Sequence, residues 1–143
     1  MSGRGTDAVE ALRAAGLRPT RHRVAVLDEL ALEPNDVTAQ ELWQRLRARG
    51  GSVVGRATVY RALAAMREHR VIDAFAHHDG ELCYRVCTNQ HHHHLVCREC
   101  HRVVELVGCD VGDWVARAGR RHGFAALEHE LELSGVCADC RAA

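Results

Sequence analysis

Between Cys87 and Cys100 the chain places seven side chains that bind soft metals within fourteen residues: Cys87, His91, His92, His93, His94, Cys97 and Cys100. The pair Cys97-x-x-Cys100 recurs as Cys137-x-x-Cys140, with 36 residues between the two pairs. Each pair presents two thiolates to one ion. Two pairs complete a tetrahedral four-sulfur site that is closed to substrate and therefore structural, which is the chemistry of Zn2+. A redox CxxC would stand alone at the start of a helix. Two widely separated pairs instead tie a late segment to an earlier one, so that the energy of metal binding becomes folding energy.

The four histidines need a strand to be useful. If they are extended, His92 and His94 project to one side and His91 and His93 to the other. One run then offers a pair of imidazoles to each of two sites. Cys87, just upstream, adds a thiolate, which favours Zn2+ over harder ions. The bland alternative is a solvated polar linker that picks up metal adventitiously. Further on, Leu127-Glu-His-Glu-Leu-Glu-Leu133 alternates strictly. As a strand it would carry His129 on its leucine face, either as a hydrogen-bonded core residue or as a partner for those histidines. A catalytic zinc would require an open coordination position and a general base. Neither H-E-x-x-H nor an H-x-E…P-C-x-x-C pairing occurs.

Apolar spacing and capping residues outline the elements that must hold these groups. Thr6 is placed to cap a helix from Asp7 to about Ala15, with Val9 and Leu12 on one face and Gly16 past its end. Thr20 caps a second helix whose Val24, Leu27, Leu30 and Ala31 form a stripe. Residues 33–36 read as a turn. Thr38-Ala-Gln-Glu41 is a capping box opening a third helix with Leu42 and Leu46 inward, stopped at Gly50-Gly51. Gly55 precedes a fourth helix with Val59, Leu63 and Met66 inward. The runs 71–76 and 81–86 flank His77-His78-Asp79-Gly80 as a β-hairpin.

Helices of this length followed by a hairpin are the parts of a winged helix, in which the helix before the hairpin enters the major groove. Arg56, Thr58, Tyr60 and Arg61 on that helix are then available for phosphates and base edges. Alternatively, Tyr60 is half-buried core and the arginines solvate a helix face. Beyond the first cysteine pair, 102–107 suits a strand. A helix carrying Val111, Trp114, Val115 and Ala118 follows and stops at Gly123.

Composition adds little by itself: 143 residues, nineteen basic against nineteen acidic side chains, every basic one an arginine. The distribution is uneven. Residues 1–70 hold twelve arginines and eight acids, whereas 87–143 hold six and eight. A mildly basic front and a mildly acidic, metal-binding back suggest two jobs. The N-terminus lacks the apolar run of a signal peptide, and no segment approaches a membrane span. Seven cysteines in a cytoplasmic chain read as metal ligands before disulfides.

Together, Gly16-Leu-Arg-Pro-Thr-Arg-His-Arg23, Ala57-Thr-Val-Tyr-Arg61, the His91–Cys100 run and the final cysteine pair resemble the ferric uptake regulator (Fur) superfamily over nearly the whole length. Within it, the chain is most similar to the zinc-responsive branch (Zur). The resemblance implies an α+β chain. A winged-helix DNA-binding domain, 1–86, joins through a hinge at about 84–90 to an α/β dimerisation domain, 87–143, holding the Cys97/Cys100/Cys137/Cys140 zinc.

It further implies a homodimeric, zinc-dependent repressor of A/T-rich operators, with no membrane and no small-molecule substrate. Arg18 would reach the minor groove, and Tyr60 and Arg61 the major groove and backbone. A regulatory hinge ion would lie on Asp73, Cys87, His92 and His94. A further ion would lie on His91, His93, His129 and an acid. One structural and one or two regulatory Zn2+ per chain would result. Here the sequence departs from the pattern. The position aligned with the acid is Gly112, with Asp113 the next residue and Asp110 and Cys109 close by. Three readings stay open: a neighbour, Asp113 first, takes the place of the acid; an extra thiol enters the site; or the site is weak or absent. An iron, nickel or peroxide sensor of the same superfamily, and a zinc-ribbon interaction module, are the alternatives.

Overall fold

Gly16 closes the first helix, α1 (Gly3–Ala14), by adopting φ 78°. Its N–H donates to Arg13 O at 3.0 Å, and the N–H of Leu17 reaches back to Leu12 O at 2.8 Å. This pair of bonds ends a helix through a left-handed residue, and both leucines are buried. The structure is a computed structural model, and it describes residues 3–33, 35–50, 54–76, 80–86 and 91–143. The chain divides into two compact units, Met1–Asn89 and Gln90–Ala143. Thr6, expected as a cap, lies inside α1. No proline interrupts Gly3–Thr6, so a helix anchored by Ala8 and Leu12 extends through them at little cost.

In the first unit, Thr20 caps α2 (Arg21–Leu30), accepting from the Arg23 N–H at 3.3 Å. A short strand that the sequence does not announce, β1 (Val37–Thr38), lies between the expected turn at 33–36 and the third helix; it pairs antiparallel with β3 (Leu82–Val86), Val37 opposite Tyr84. Thr38 then caps α3 (Ala39–Ala48) through the expected reciprocal box with Glu41. Helix α4 (Arg56–Glu68) follows Gly55, burying Val59, Leu63 and Met66. Strand β2 (Ile72–Ala76) completes a sheet of order β1-β3-β2. Helices on one side of a small antiparallel sheet bury Leu12, Val26, Leu30, Leu42, Leu63 and Ile72 in one core. Glu29 of α2 pairs with Arg49, and Glu33 with Arg45 of α3. This is a winged helix, with α4 directly before the paired strands β2 and β3.

The second unit is a sheet of order β5-β4-β6, built from β4 (His92–Cys97), β5 (Val103–Val107) and β6 (Glu132–Gly135), with α5 (Gly112–His122) and α6 (Ala138–Ala142). β5 runs antiparallel to β4 and β6 parallel to it. Gly123, at φ 75°, stops α5 as expected.

Two expectations fail in this unit. The alternating stretch 127–133 is not one strand: pairing with β4 begins only at Glu132, opposite His94. Ala126 has φ 53° and Leu127 packs over Gly119, where a Cβ would meet Leu127 Cδ1 at 2.8 Å. The segment is therefore held to α5 before it joins the sheet. The second failure is the stripe on α5, because Trp114 is 63% exposed. Among the described apolar residues of this unit, only Val96, Cys97 and Val103 are buried. A unit so small with so thin a core needs another source of stability.

Candidate metal centres and nucleic-acid interface

Strand pairing brings the two cysteine turns together. Cys97 ends β4 opposite Gly135 of β6, and the Arg98 N–H donates to Gly135 O at 2.9 Å. Cys137 lies two residues past the end of β6, and its N–H donates to Cys97 Sγ at 3.3 Å. The first turn is tightened by the His101 N–H on Cys97 O, with His101 at φ 63°. Cys97 Sγ lies 3.9 Å from Cys140 Sγ, and Cys100 Sγ 3.7 Å from Cys137 Sγ. A tetrahedron with Zn–S bonds of about 2.3 Å puts its sulfurs about 3.8 Å apart, whereas a disulfide would bring them to about 2.0 Å. The spacing fits zinc.

The electrostatics fit too. Backbone N–H groups, chiefly that of Cys100 and then that of Cys137, pull the Cys97 thiol down to about 6. Hydrogen bonding with neighbouring thiols, Cys137 first, pushes Cys140 up to about 12. Sulfurs this crowded cannot all carry charge unless a cation shares the space.

β4 is extended and His91 stands directly before it, so the four histidines alternate. On one face the rings of His91 and His93 lie 4.7 Å apart, centroid to centroid, and His129 joins them at 4.6 Å from His91. His91 Nε2 is 3.2 Å from His129 Nε2. Cys109 Sγ is 3.3 Å from His93 Nε2 and 3.1 Å from His129 Nε2. The donor atoms of His91, His93, Cys109 and His129 all lie within 4.8 Å of one another. Asp113, expected as the acid, is not among the gathered donors. It is exposed in the first turn of α5, because each helical step turns the side chain by about 100° away from its neighbour's direction. Cys109 stands in its place. No motif marked it: what selects it is the tight turn from β5 into α5, through Gly108 at φ 93°.

His93 is 4% exposed, and its Nδ1 has no hydrogen-bond partner among the described residues. Burial, followed by the neighbouring imidazoles His91 and His129, pushes it below the usual histidine range, which favours the neutral ring, the form that ligates metal.

On the opposite face of β4, His92 and His94 set their rings edge to face, 4.7 Å apart. Asp73 belongs to β2 of the first unit, in register with Arg85 of β3. Cys87, expected between them in sequence, lies outside the described residues.

On α4, Arg56, Tyr60 and Arg61 are exposed and Thr58 is half-buried. Tyr60, at 44% exposure, is not core, and the Arg61 guanidinium donates to Thr58 Oγ1 at 3.2 Å. Arg18 is exposed, and its carbonyl accepts from the Arg23 guanidinium at 3.0 Å. Trp43 of α3 was missed. Its indole N–H donates to Val54 O at 3.2 Å, while Arg47 and Arg56 place their guanidinium groups 4.8 and 5.8 Å from its ring. Stacking of this kind steadies cations at a surface. The i, i+4 spacing of Trp43 and Arg47 was the available signal.

Comparison with known proteins bears on both units. The model of the ferric uptake regulator family matches residues 14–134. The zinc uptake regulation protein of Mycobacterium tuberculosis (strain ATCC 25618 / H37Rv) is 40% identical over 130 residues, 91% of this chain and 99% of that protein. Among solved structures, the Vibrio cholerae ferric uptake regulator superposes with a TM-score of 0.66 at 29% identity, covering 90% of this chain and 98% of that one. A zinc uptake regulator complexed with zinc and DNA shares the fold at a TM-score of 0.75 and 24% identity, covering 96% of this chain and 93% of that one.

Proposed function

Because the chain belongs to the ferric uptake regulator family, we propose that it is a zinc-responsive repressor that binds operator DNA as a homodimer when a regulatory zinc site is filled. Family membership makes it a metal-responsive transcription regulator and not an enzyme. The observation that carries the finer reading is its 40% identity, over almost the whole length, to a protein named for zinc uptake regulation. The donors agree, since thiolate and imidazole suit zinc better than the oxygen-rich sets of harder ions.

In this reading Cys97, Cys100, Cys137 and Cys140 hold a permanent zinc that folds the second unit. Asp73, Cys87, His92 and His94 take the regulatory ion. Because Asp73 belongs to one unit and the histidines to the other, that ion selects one arrangement of the units from those accessible. In that arrangement, α4 of each protomer fits a successive major groove of an A/T-rich inverted repeat. Arg56, Tyr60 and Arg61 read or clamp the groove with Thr58 behind them, and Arg18 reaches the minor groove. By linkage, operator DNA tightens zinc binding by the same factor as zinc tightens DNA binding. The regulated genes are those of zinc homeostasis, and the protein acts in the cytoplasm. The apolar residues left exposed on the second unit, including Val107, Trp114, Phe124 and Leu133, support a second copy as the partner that covers them.

The test is operator binding titrated with Zn2+, Fe2+, Mn2+ and Ni2+, for the wild type and for His92→Ala. Zinc alone should drive wild-type binding in the physiological range. His92→Ala should keep its tightly held zinc yet lose the response. A stronger response to Fe2+ would instead make the chain an iron sensor of the same family, and zinc-dependent binding by His92→Ala would remove the regulatory assignment.

A further inference from the structure

We infer that Cys109 is the fourth ligand of a closed zinc site completed by the imidazoles of His91, His93 and His129, and that its thiolate and Gly112 together replace an acidic ligand on α5. The donor geometry comes first. Zn–N bonds of about 2.0 Å and a Zn–S bond of about 2.3 Å require donor separations of roughly 3.3–3.6 Å. The observed separations are 3.2 Å for His91 to His129, and 3.3 and 3.1 Å from Cys109 to His93 and His129. Each lies within a few tenths of an ångström of a tetrahedral edge.

The second observation concerns Gly112. A Cβ built there would lie 3.8 Å from Cys109 Sγ. A side chain at 112 would therefore project towards the place the sulfur holds. The three bonds from Cβ to Oε of a glutamate span that distance, and the two bonds of an aspartate do not. Thiol and acid are alternative occupants of one ligand position, reached from two backbone positions three residues apart. Position 112 is the first residue of α5, where a carboxylate is also favoured by the helix dipole. His93 adds a third observation: burial of a polar ring is costly unless its nitrogens are used, and its Nε2 faces the sulfur.

The exchange changes chemistry without changing charge. Thiolate and carboxylate each bring one negative charge, so a filled site keeps the same net charge in both versions. What changes is softness. Three imidazoles and one thiolate select Zn2+ or Co2+ over Mn2+ and Fe2+, whereas three imidazoles and a carboxylate discriminate less. With four protein donors the site is closed, so it holds an ion rather than activating water.

This deepens the zinc-sensor reading, but its test is spectroscopic and stands whether or not operator binding responds to zinc. The full-length Cys87→Ser protein, with its four-cysteine zinc in place, is stripped of exchangeable metal by mild chelation and titrated with Co2+. A sulfur-to-cobalt charge-transfer band and the intense visible bands of tetrahedral Co2+ are expected to saturate together. Adding Cys109→Ser should abolish the charge-transfer band. Adding Cys109→Ser with Gly112→Glu should restore uptake of that cobalt ion without the band, and should shift selectivity towards Mn2+. Survival of the band in Cys109→Ser would overturn the assignment of the thiolate. Failure of the double variant to take up the ion, with its four-cysteine zinc and dimer intact, would overturn the exchange of Cys109 for an acid at 112. A circular-dichroism spectrum matching the parent establishes that each variant is folded.

Discussion

In the proposed four-cysteine zinc site, serine at Cys97 or Cys140 removes one zinc bond and leaves three crowded sulfurs with a weak fourth donor. With so few apolar residues buried among the described residues of the second unit, that unit has little else to fall back on, since a structural zinc would supply folding energy outright. Cys97→Ser and Cys140→Ser are each expected to lose the tightly held zinc, the sheet β5-β4-β6 and the dimer, seen by metal analysis and limited proteolysis. A folded, dimeric Cys97→Ser protein would refute the structural role. At the proposed DNA face, Arg18→Ala and Tyr60→Ala should each cost about 1–3 kcal/mol in operator affinity at unchanged metal content. Loss of zinc in either variant would mean that the reading surface has been misplaced. The cysteine pairs were legible because CxxC spacing is the local geometry of one turn and carries its chemistry with it. Cys109 was legible only as a neighbour of the site and not as its donor, because its partners come from His91, from His93 of β4 and from a segment twenty residues later, and only the folded sheet brings them to it.

The helices announce themselves at their ends. Thr38 and Glu41 satisfy each other's backbone N–H groups at 3.1 and 2.9 Å, and this exchange is visible in four letters of sequence. Thr38→Ala should destabilise the first unit by about 1 kcal/mol, read as a lower Tm of the winged helix with metal content unchanged. An unaltered Tm would show that the strand–helix junction is held by β1 pairing instead. Gly16 and Gly123 were legible for the same reason, since a left-handed residue past an apolar stripe ends a helix. Short strands are different. β1 has two residues, too few for a period to be read, and it exists because β3 offers it an edge. The leucine–glutamate alternation of 127–133 promised a strand, but packing of Leu127 on Gly119 overrides the alternation until Glu132. Gly119→Ala places a methyl group 3.0 Å from Phe124 O as well as against Leu127. It should cost about 1–3 kcal/mol, as overpacking does, in thermal unfolding of the zinc-loaded protein.

At the scale of the whole molecule, the proposed dimer is expected to form through the apolar surface of the second unit. Trp114 and Phe124, 63% and 67% exposed, are the largest apolar side chains in that surface. A charge on each, as Trp114→Glu with Phe124→Glu, should convert the dimer to a monomer that retains its four-cysteine zinc, measured by sedimentation. Operator affinity should fall with it, since a lone half-site contact lacks the second helix. β4 has a wider reach than any other element. It is the central strand of its sheet and carries imidazoles on both faces and a thiolate at its end. Every ion taken up by this strand therefore restrains the same short length of backbone. An ion that restrains this backbone first is expected to leave less motion for later ions to remove, so that successive ions should bind more tightly. Amide exchange along 92–97 should slow in unequal steps as metal is added, the first step being the largest, and β4 would then act as a shared reservoir of disorder that the ions draw down in turn.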